Sequence, residues 1–339
     1  MVSDNQKVLK ERLAALAGEF ARRRVLVVGD VVADQFVFGE ISRVSREAPV
    51  LILRHERTET VPGGAANCAM NVAALGAHVE LVGVAGDDEP GRELLRKLKE
   101  AGVDCGGVVV APHVRTTTKQ RVLAGHAHSP RQQVIRLDYE SEPLADAAVV
   151  EEIVRNVRAR FEERDAVIVS DYNYGVACVE TLDALRSSAA KGVRLVLADS
   201  RFRLSEFSGF TTATPNEDEV EHVAGKRIET EGELETEGAR LRERLGFEAL
   251  LVTRGKHGMM LVERGKRPLH LPAVGSHDAV DVTGAGDTVI ATYALALASG
   301  STFADAARLA NHAGGLVVLK RGTATVAPQE ILASVQDNC

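Results

Sequence analysis

AVIVSDY (166–172), RLVLADS (194–200), FTTATPN (210–216) and ALLVTRG (249–255) decide the fold of this chain. Strands and helices alternate from about residue 147 onward, and the strands are short, nearly unbroken apolar runs. Such runs belong to strands buried on both faces, the condition of a parallel sheet covered by helices on either side. RVLVVGD (24–30) supplies a further buried strand behind an amphipathic helix over about residues 5–22. Two stretches break the pattern, about 35–56 and 108–137, which alternate and are rich in β-branched residues. They predict a small β-sheet lid made from two inserts. The expectation is an α/β, three-layer α/β/α sandwich with a mostly parallel central sheet, organised as one domain over residues 1–339.

Composition suits a cytoplasmic enzyme. The 339 residues are 45% hydrophobic and 26% charged, enough to bury a large core. A net charge of −7 gives no electrostatic footprint for nucleic acid. The longest apolar stretches are strand-length, so neither a targeting segment nor a membrane span is expected. Cys68, Cys105, Cys178 and Cys339 lack metal-ligand spacing and read as free thiols in a reducing compartment. His257, His270 and His312 also lack ligand spacing and read as surface or packing residues.

DVTGAGDT (281–288) carries the chemistry. Its glycines precede an apolar segment, so they form a loop that opens into a helix. The free N–H groups of that first turn, with the positive end of the helix dipole, hold an anion without Lys or Arg. A carboxylate at Asp287 would repel such an anion, and makes sense as the acceptor of a proton from an incoming hydroxyl. Gly284, Ala285 and Gly286 then form the anion hole. The combination points to phosphoryl transfer from a nucleotide to an alcohol.

GGAANCAMNVAALG (63–76), DVTGAGD (281–287) and the NxxE of TPNEDE, Asn216 and Glu219, together resemble the ordered motifs of the ribokinase-like (PfkB) carbohydrate kinases. GDVVAD, SRVSREAPV, PGGAANCAMN, QQVIRLDYE, SDYNYG and LVTRGKHGM further resemble the D-glycero-β-D-manno-heptose-7-phosphate kinases of ADP-heptose biosynthesis, which serves lipopolysaccharide. The resemblance runs from about Arg24 to Gln329, and implies no nucleotidyltransferase domain after it. It implies Asp287 as general base, with Asp34, Gly63, Gly64 and Asn67 on the sugar. It places ATP at Asn216, Thr253, Arg254, Gly255 and Asn311, with Mg²⁺ held through water by Glu219 and Asn216. Asp281 fits two readings, a solvated loop acid or a ligand for K⁺ beside the 320–323 loop. Asp30 reads equally as a turn former or a site acid.

A phosphorylated sugar needs cations at the far end of its pocket. Candidates are Arg43, Arg46, Lys119, Arg121 and Arg136, of which Arg43, Lys119 and Arg136 are taken forward. Two departures from the heptose kinase pattern, Tyr174 in SDYNYG and Ser200–Arg201 in place of a Pro-Lys, leave another sugar or sugar phosphate open. The exposed lid strands imply a homodimer. GxGxxG after the first strand and GxxxxGK are both absent, which removes dinucleotide oxidoreductase and P-loop kinase readings. A catalytically silent sugar-binding protein of the same fold stays as the alternative.

Overall fold

The computed structural model describes residues 4–125, 131–140, 144–191, 195–275 and 279–338. Nine strands form the central sheet, in the order β13-β12-β11-β10-β9-β8-β1-β4-β5. The parallel strands are β1 (Arg24–Gly29), β4 (His78–Gly86), β5 (Asp104–Ala111), β8 (Ala166–Asp171), β9 (Leu195–Ser200), β10 (Thr212–Ala213) and β11 (Ala249–Thr253). β12 (Met259–Glu263) and β13 (Leu269–Leu271) close one edge antiparallel.

Alternate side chains of each strand enter different cores. Val25 and Val27 pack beneath the helices α1 (Asp4–Gly18), α2 (Ala65–Ala74), α8 (Ala285–Ala298), α9 (Phe303–Val317) and α10 (Pro328–Asn338). Leu26 and Val28 pack on the other face, under α4 (Ala147–Phe161), α5 (Val179–Ala189), α6 (Glu217–Ala224) and α7 (Glu231–Leu245). α3 (Glu89–Glu100) joins the first group through Leu94 and Leu98. This is the three-layer arrangement the apolar runs imply. No helix among the described residues is long and apolar enough to cross a membrane.

The lid is a four-stranded sheet ordered β3-β2-β6-β7. β2 (Val31–Val44) and β3 (Leu51–Gly64) form a long antiparallel hairpin, while β6 (Thr117–Gly125) lies parallel to β2 and antiparallel to β7 (Gln132–Tyr139). The boundaries differ from those read in the sequence. The first insert is longer than 35–56, because pairing continues to Val31 and Gly64. The second begins at Thr117 rather than 108, because β5 pairs with β4 in the central sheet. Residues 126–130 of that insert, and Cys339, lie outside the described residues. Among the described cysteines, Cys68, Cys105 and Cys178 are free.

Topology places the site. From β1 the chain runs outward through β4 and β5, then crosses back to β8 on the other side of β1 and continues to β11. Strand order therefore reverses between β1 and β8, and open α/β sheets bind ligands at the carboxyl ends of strands at such a reversal. Asp30, Asp171, Asp199, Thr214 and Thr253 stand there.

Candidate active site

Those strand ends, the lid and the loop before α8 enclose a cavity of about 500 Å³. A smaller apolar chamber of about 210 Å³ adjoins it, lined by Thr253, Gly255, Met259, Val289, Asn311 and Gly314 among others.

Asp287 is buried in the first turn of α8. Its Oδ2 accepts from Asn67 Nδ2 at 2.7 Å, and its Oδ1 has no partner among the described residues. Burial first, then the neighbouring Asp199 charge, raises its pKa well above the usual carboxylate range, against the lowering by Asn67 and by the nearby Tyr172 hydroxyl. The helix N-cap is Gly284, at φ 76°, where a side chain is strained; an added Cβ would lie 2.5 Å from Asn67 Nδ2. The anion-hole expectation needs one correction. The Ala285 N–H already donates to Val282 O at 3.2 Å, and Ala285 lines the smaller chamber. Gly284 and Gly286 line the main cavity.

Gly63 is the next-to-last residue of β3, and a Cβ there would sit 2.4 Å from the Asp34 carboxylate, so the close approach requires glycine. Asp34 is buried and pairs with Arg121 at 2.5 Å. Asn67 departs from its expected place. It is buried beneath the cavity wall rather than lining it, because its amide is turned onto Asp287.

Lid register explains the basic side chains. Asp34 pairs with Lys119, Lys119 with Asp138, and Arg121 with Arg136 directly across β6 and β7. Residues two apart share a face, so three cations and two acids line one side of the lid. Like charges directly opposite are unfavourable, and acids offset them here. Arg136 is gripped by both oxygens of Asp138, at 2.7 and 2.6 Å. Lys119 Nζ contacts Glu140 at 3.1 Å and the Tyr174 hydroxyl at 2.9 Å. Tyr174 itself donates to Glu140. Although Tyr174 carries no charge, it thus seats a lysine beside the site. Arg201, at the end of β9, also lines the cavity.

Arg43 is not brought in. It lies nine residues beyond Asp34 on β2, roughly 30 Å away at strand spacing, and is exposed opposite Ile52. Arg46 is likewise exposed.

Asn216 and Glu219 form a capping box on α6: Asn216 Oδ1 accepts from Glu219 N at 2.8 Å, and Glu219 accepts from Asn216 N at 2.9 Å. Both line the cavity. Burial and the Asp199 charge push the Glu219 pKa up, and burial with Asp171 does the same for Asp199. No three acids, histidines or cysteines among the described residues converge as a metal cage. Arg254 does not face the cavity. Its guanidinium is held by Glu217 and Glu231, each at 2.8 Å, while Thr253 lines both chambers. Asn311 Nδ2 donates to Pro272 O at 2.7 Å. Asp281 accepts from Thr283 N and Gly322 N, both at 2.9 Å, and so latches the glycine loop to the 320–323 turn.

Asp171, Tyr172 and Asp199 complete the cavity without having been singled out for it, together with Arg121, a candidate cation that was not taken forward. Asp171 and Asp199 stand at the carboxyl ends of buried strands, where open α/β sheets place ligand groups, and that position in the sequence is the signal that could have found them. Asp30 resolves as a turn former: its buried carboxylate accepts from Tyr172 N, Tyr174 N and Val176 N at 2.8–3.0 Å. Burial raises its pKa to about 6, against those three N–H donors. Since the folded value exceeds the unfolded one, its contribution to stability is full below about pH 4 and lost as pH rises through 6. The stability advantage of the wild type over Asp30→Asn, from urea midpoints, should therefore shrink between pH 4 and pH 7; a constant difference would contradict this.

A model of the pfkB family of carbohydrate kinases matches residues 22–330. The chain belongs to that family. It is 45% identical over 320 residues to the bifunctional protein HldE of Methylococcus capsulatus, covering 94% of this chain and 65% of that one. The HldE protein of Pectobacterium atrosepticum is 44% identical over 314 residues, covering 92% and 63%. This pfkB-family chain thus spans somewhat less than two thirds of those relatives. Its fold resembles Arabidopsis thaliana ribokinase complexed with ribose and ATP, with a TM-score of 0.70 at 22% identity, covering 93% and 99% of the chains. Escherichia coli phosphofructokinase-2 gives a TM-score of 0.75 at 16% identity, with the same coverage. The ribokinase-like fold is therefore shared.

Proposed function

We propose that the protein transfers the γ-phosphoryl group of ATP to O1 of D-glycero-β-D-manno-heptose 7-phosphate, giving the 1,7-bisphosphate. The observation that carries phosphoryl transfer is the buried Asp287, one oxygen pinned and the other free, in the first turn of the glycine-loop helix. The sugar hydroxyl gives its proton to Asp287 as its oxygen attacks the γ-phosphorus in line and the bond to ADP breaks. Gly284 and Gly286 face the transferring group, whose charge the first-turn N–H groups stabilise. Asp34 binds sugar hydroxyls, Gly63 and Gly64 admit the sugar backbone, and the adenine enters the apolar chamber beside Asn311.

Mg²⁺, held through water by Glu219 and Asn216, would screen the phosphate charges. A cation there would favour the ionised forms of Glu219 and Asp199, whose pKa values burial and neighbouring carboxylates raise. We assign K⁺ to the turn that Asp281 latches. The exposed apolar residues of the lid, Val44, Leu51 and Ile135 among them, are where a second copy would pair.

The 7-phosphate reading rests on the motif resemblance and on Lys119, Arg121 and Arg136 sharing one lid face. Measuring ADP release with ATP, Mg²⁺ and a panel of sugars tests it. The heptose 7-phosphate should be turned over at least tenfold more efficiently than unphosphorylated sugars, since one charged hydrogen bond is worth about 1.5–3 kcal/mol. Preference for an unphosphorylated sugar would overturn the substrate class. Absence of ADP with every compound would favour the silent binder.

A further inference from the structure

A buried polar chain joins α2 to α8 behind the cavity. Thr288 Oγ1 donates to Asn71 Oδ1 at 2.7 Å. Asn71 Nδ2 donates to the Asn67 backbone carbonyl at 2.9 Å and reaches Asn67 Oδ1 at 3.4 Å. Asn67 Nδ2 then donates to Asp287 Oδ2 at 2.7 Å. All four side chains are buried, at 3% exposure or less.

The chain has a direction. A backbone carbonyl only accepts, so the Asn67 carbonyl turns the Asn71 amide nitrogen toward itself and leaves Asn71 Oδ1 for the Thr288 hydroxyl. Asn71 also faces Asn67 Oδ1 with a donor, which leaves the Asn67 amide nitrogen for the carboxylate. A flipped Asn67 would set its carbonyl oxygen against Asp287 Oδ2, two acceptors in a buried place. We propose that Asn71 and Thr288 are positioning residues: through Asn67 they clamp Oδ2 of Asp287, so that Oδ1 alone is presented to the sugar hydroxyl. The proposal rests on Asp287 acting as the base. It gives a reason for polar side chains on both faces of an otherwise small-residue helix contact.

Thr288→Val keeps the shape and removes the hydroxyl. Expected are a fall in kcat of roughly 10- to 100-fold, the cost of a catalytic group displaced by under 1 Å, and an unchanged KM for ATP. The acidic limb of the kcat/KM profile should move up by about 0.5–1 pH unit, because Asp287 loses part of the hydrogen bond that favours its ionised form. Thr288→Ser should restore both values. Asn71→Leu, which breaks the chain one link nearer the base, should shift the same limb at least as far. An unshifted limb in Thr288→Val and Asn71→Leu, or an equal loss in Thr288→Ser, would overturn the proposal. The base assignment fails separately, if Asp287→Asn keeps its turnover.

Discussion

Replacing Asp287 by Asn is expected to lower kcat by about 10²–10⁴-fold while ATP binding changes little. The amide matches the carboxylate in shape, and α8 keeps its first turn because the helix is capped by Gly284 rather than by Asp287. What is lost is the oxygen Oδ1, which lies buried with no hydrogen-bond partner among the described residues. A buried polar atom left unpaired costs stability, and the cavity beside it is where a ligand hydroxyl would supply the missing contact. The neighbouring Asp199 and Asp34 charges also disfavour a charged Asp287, so the Asn variant should be no less stable than the wild type near neutral pH. Steady-state kinetics paired with a thermal melt check both halves. A stable variant with near-normal turnover would exclude Asp287 as the base.

Gly284→Ala should be nearly as damaging, for a different reason. Position 284 has φ 76°, and its Cβ would lie 2.5 Å from the Asn67 nitrogen that holds Asp287. The side chain therefore strains the loop, displaces Asn67 and withdraws the clamp on the base together. Loss of one well-aimed anion-hole donor is worth about 2.7–4 kcal/mol, or 10²–10³-fold in kcat. Backbone strain adds roughly 1–3 kcal/mol to the cost of folding, which should appear as a lower melting temperature. Wild-type kcat in this variant would show that the loop tolerates a side chain and that its shape does not set the rate.

Much of the fold was legible because buried parallel strands are written as apolar runs. RVLVVG, AVIVSD and ALLVT became β1, β8 and β11 nearly as quoted. The glycine loop and the acid after it were equally legible, since their spacing fixes which groups share the first turn of a helix. The lid was less so. Strand β5 reads like a lid strand, with DCGGVVVA carrying both glycines and β-branched residues, and only its pairing with β4 assigns it to the central sheet.

The lid cations show the limit most clearly. Arg43 and Arg121 both stand in alternating segments, and nothing local tells how far along a hairpin each lies from the sheet. Cross-strand register decides it, by setting Arg121 opposite Arg136 beside Asp34 and Arg43 far up the hairpin. Arg254 was misleading in a similar way. It follows a strand end that does line the site, but Glu217 and Glu231, distant in sequence, turn its side chain away. Asn67 was placed near the sugar by its motif, whereas its partner Asp287, 220 residues later, gives it a buried contact with the base.

The central claim, that a hydroxyl held at Asp287 Oδ1 receives the γ-phosphoryl group of ATP, is tested most directly by phosphorus NMR of the wild-type reaction with ATP, Mg²⁺ and D-glycero-β-D-manno-heptose 7-phosphate. A new anomeric phosphate resonance, coupled to the sugar H1, is expected to grow in step with ADP. Release of ADP with inorganic phosphate and no new sugar phosphate, or no reaction at all, would contradict it.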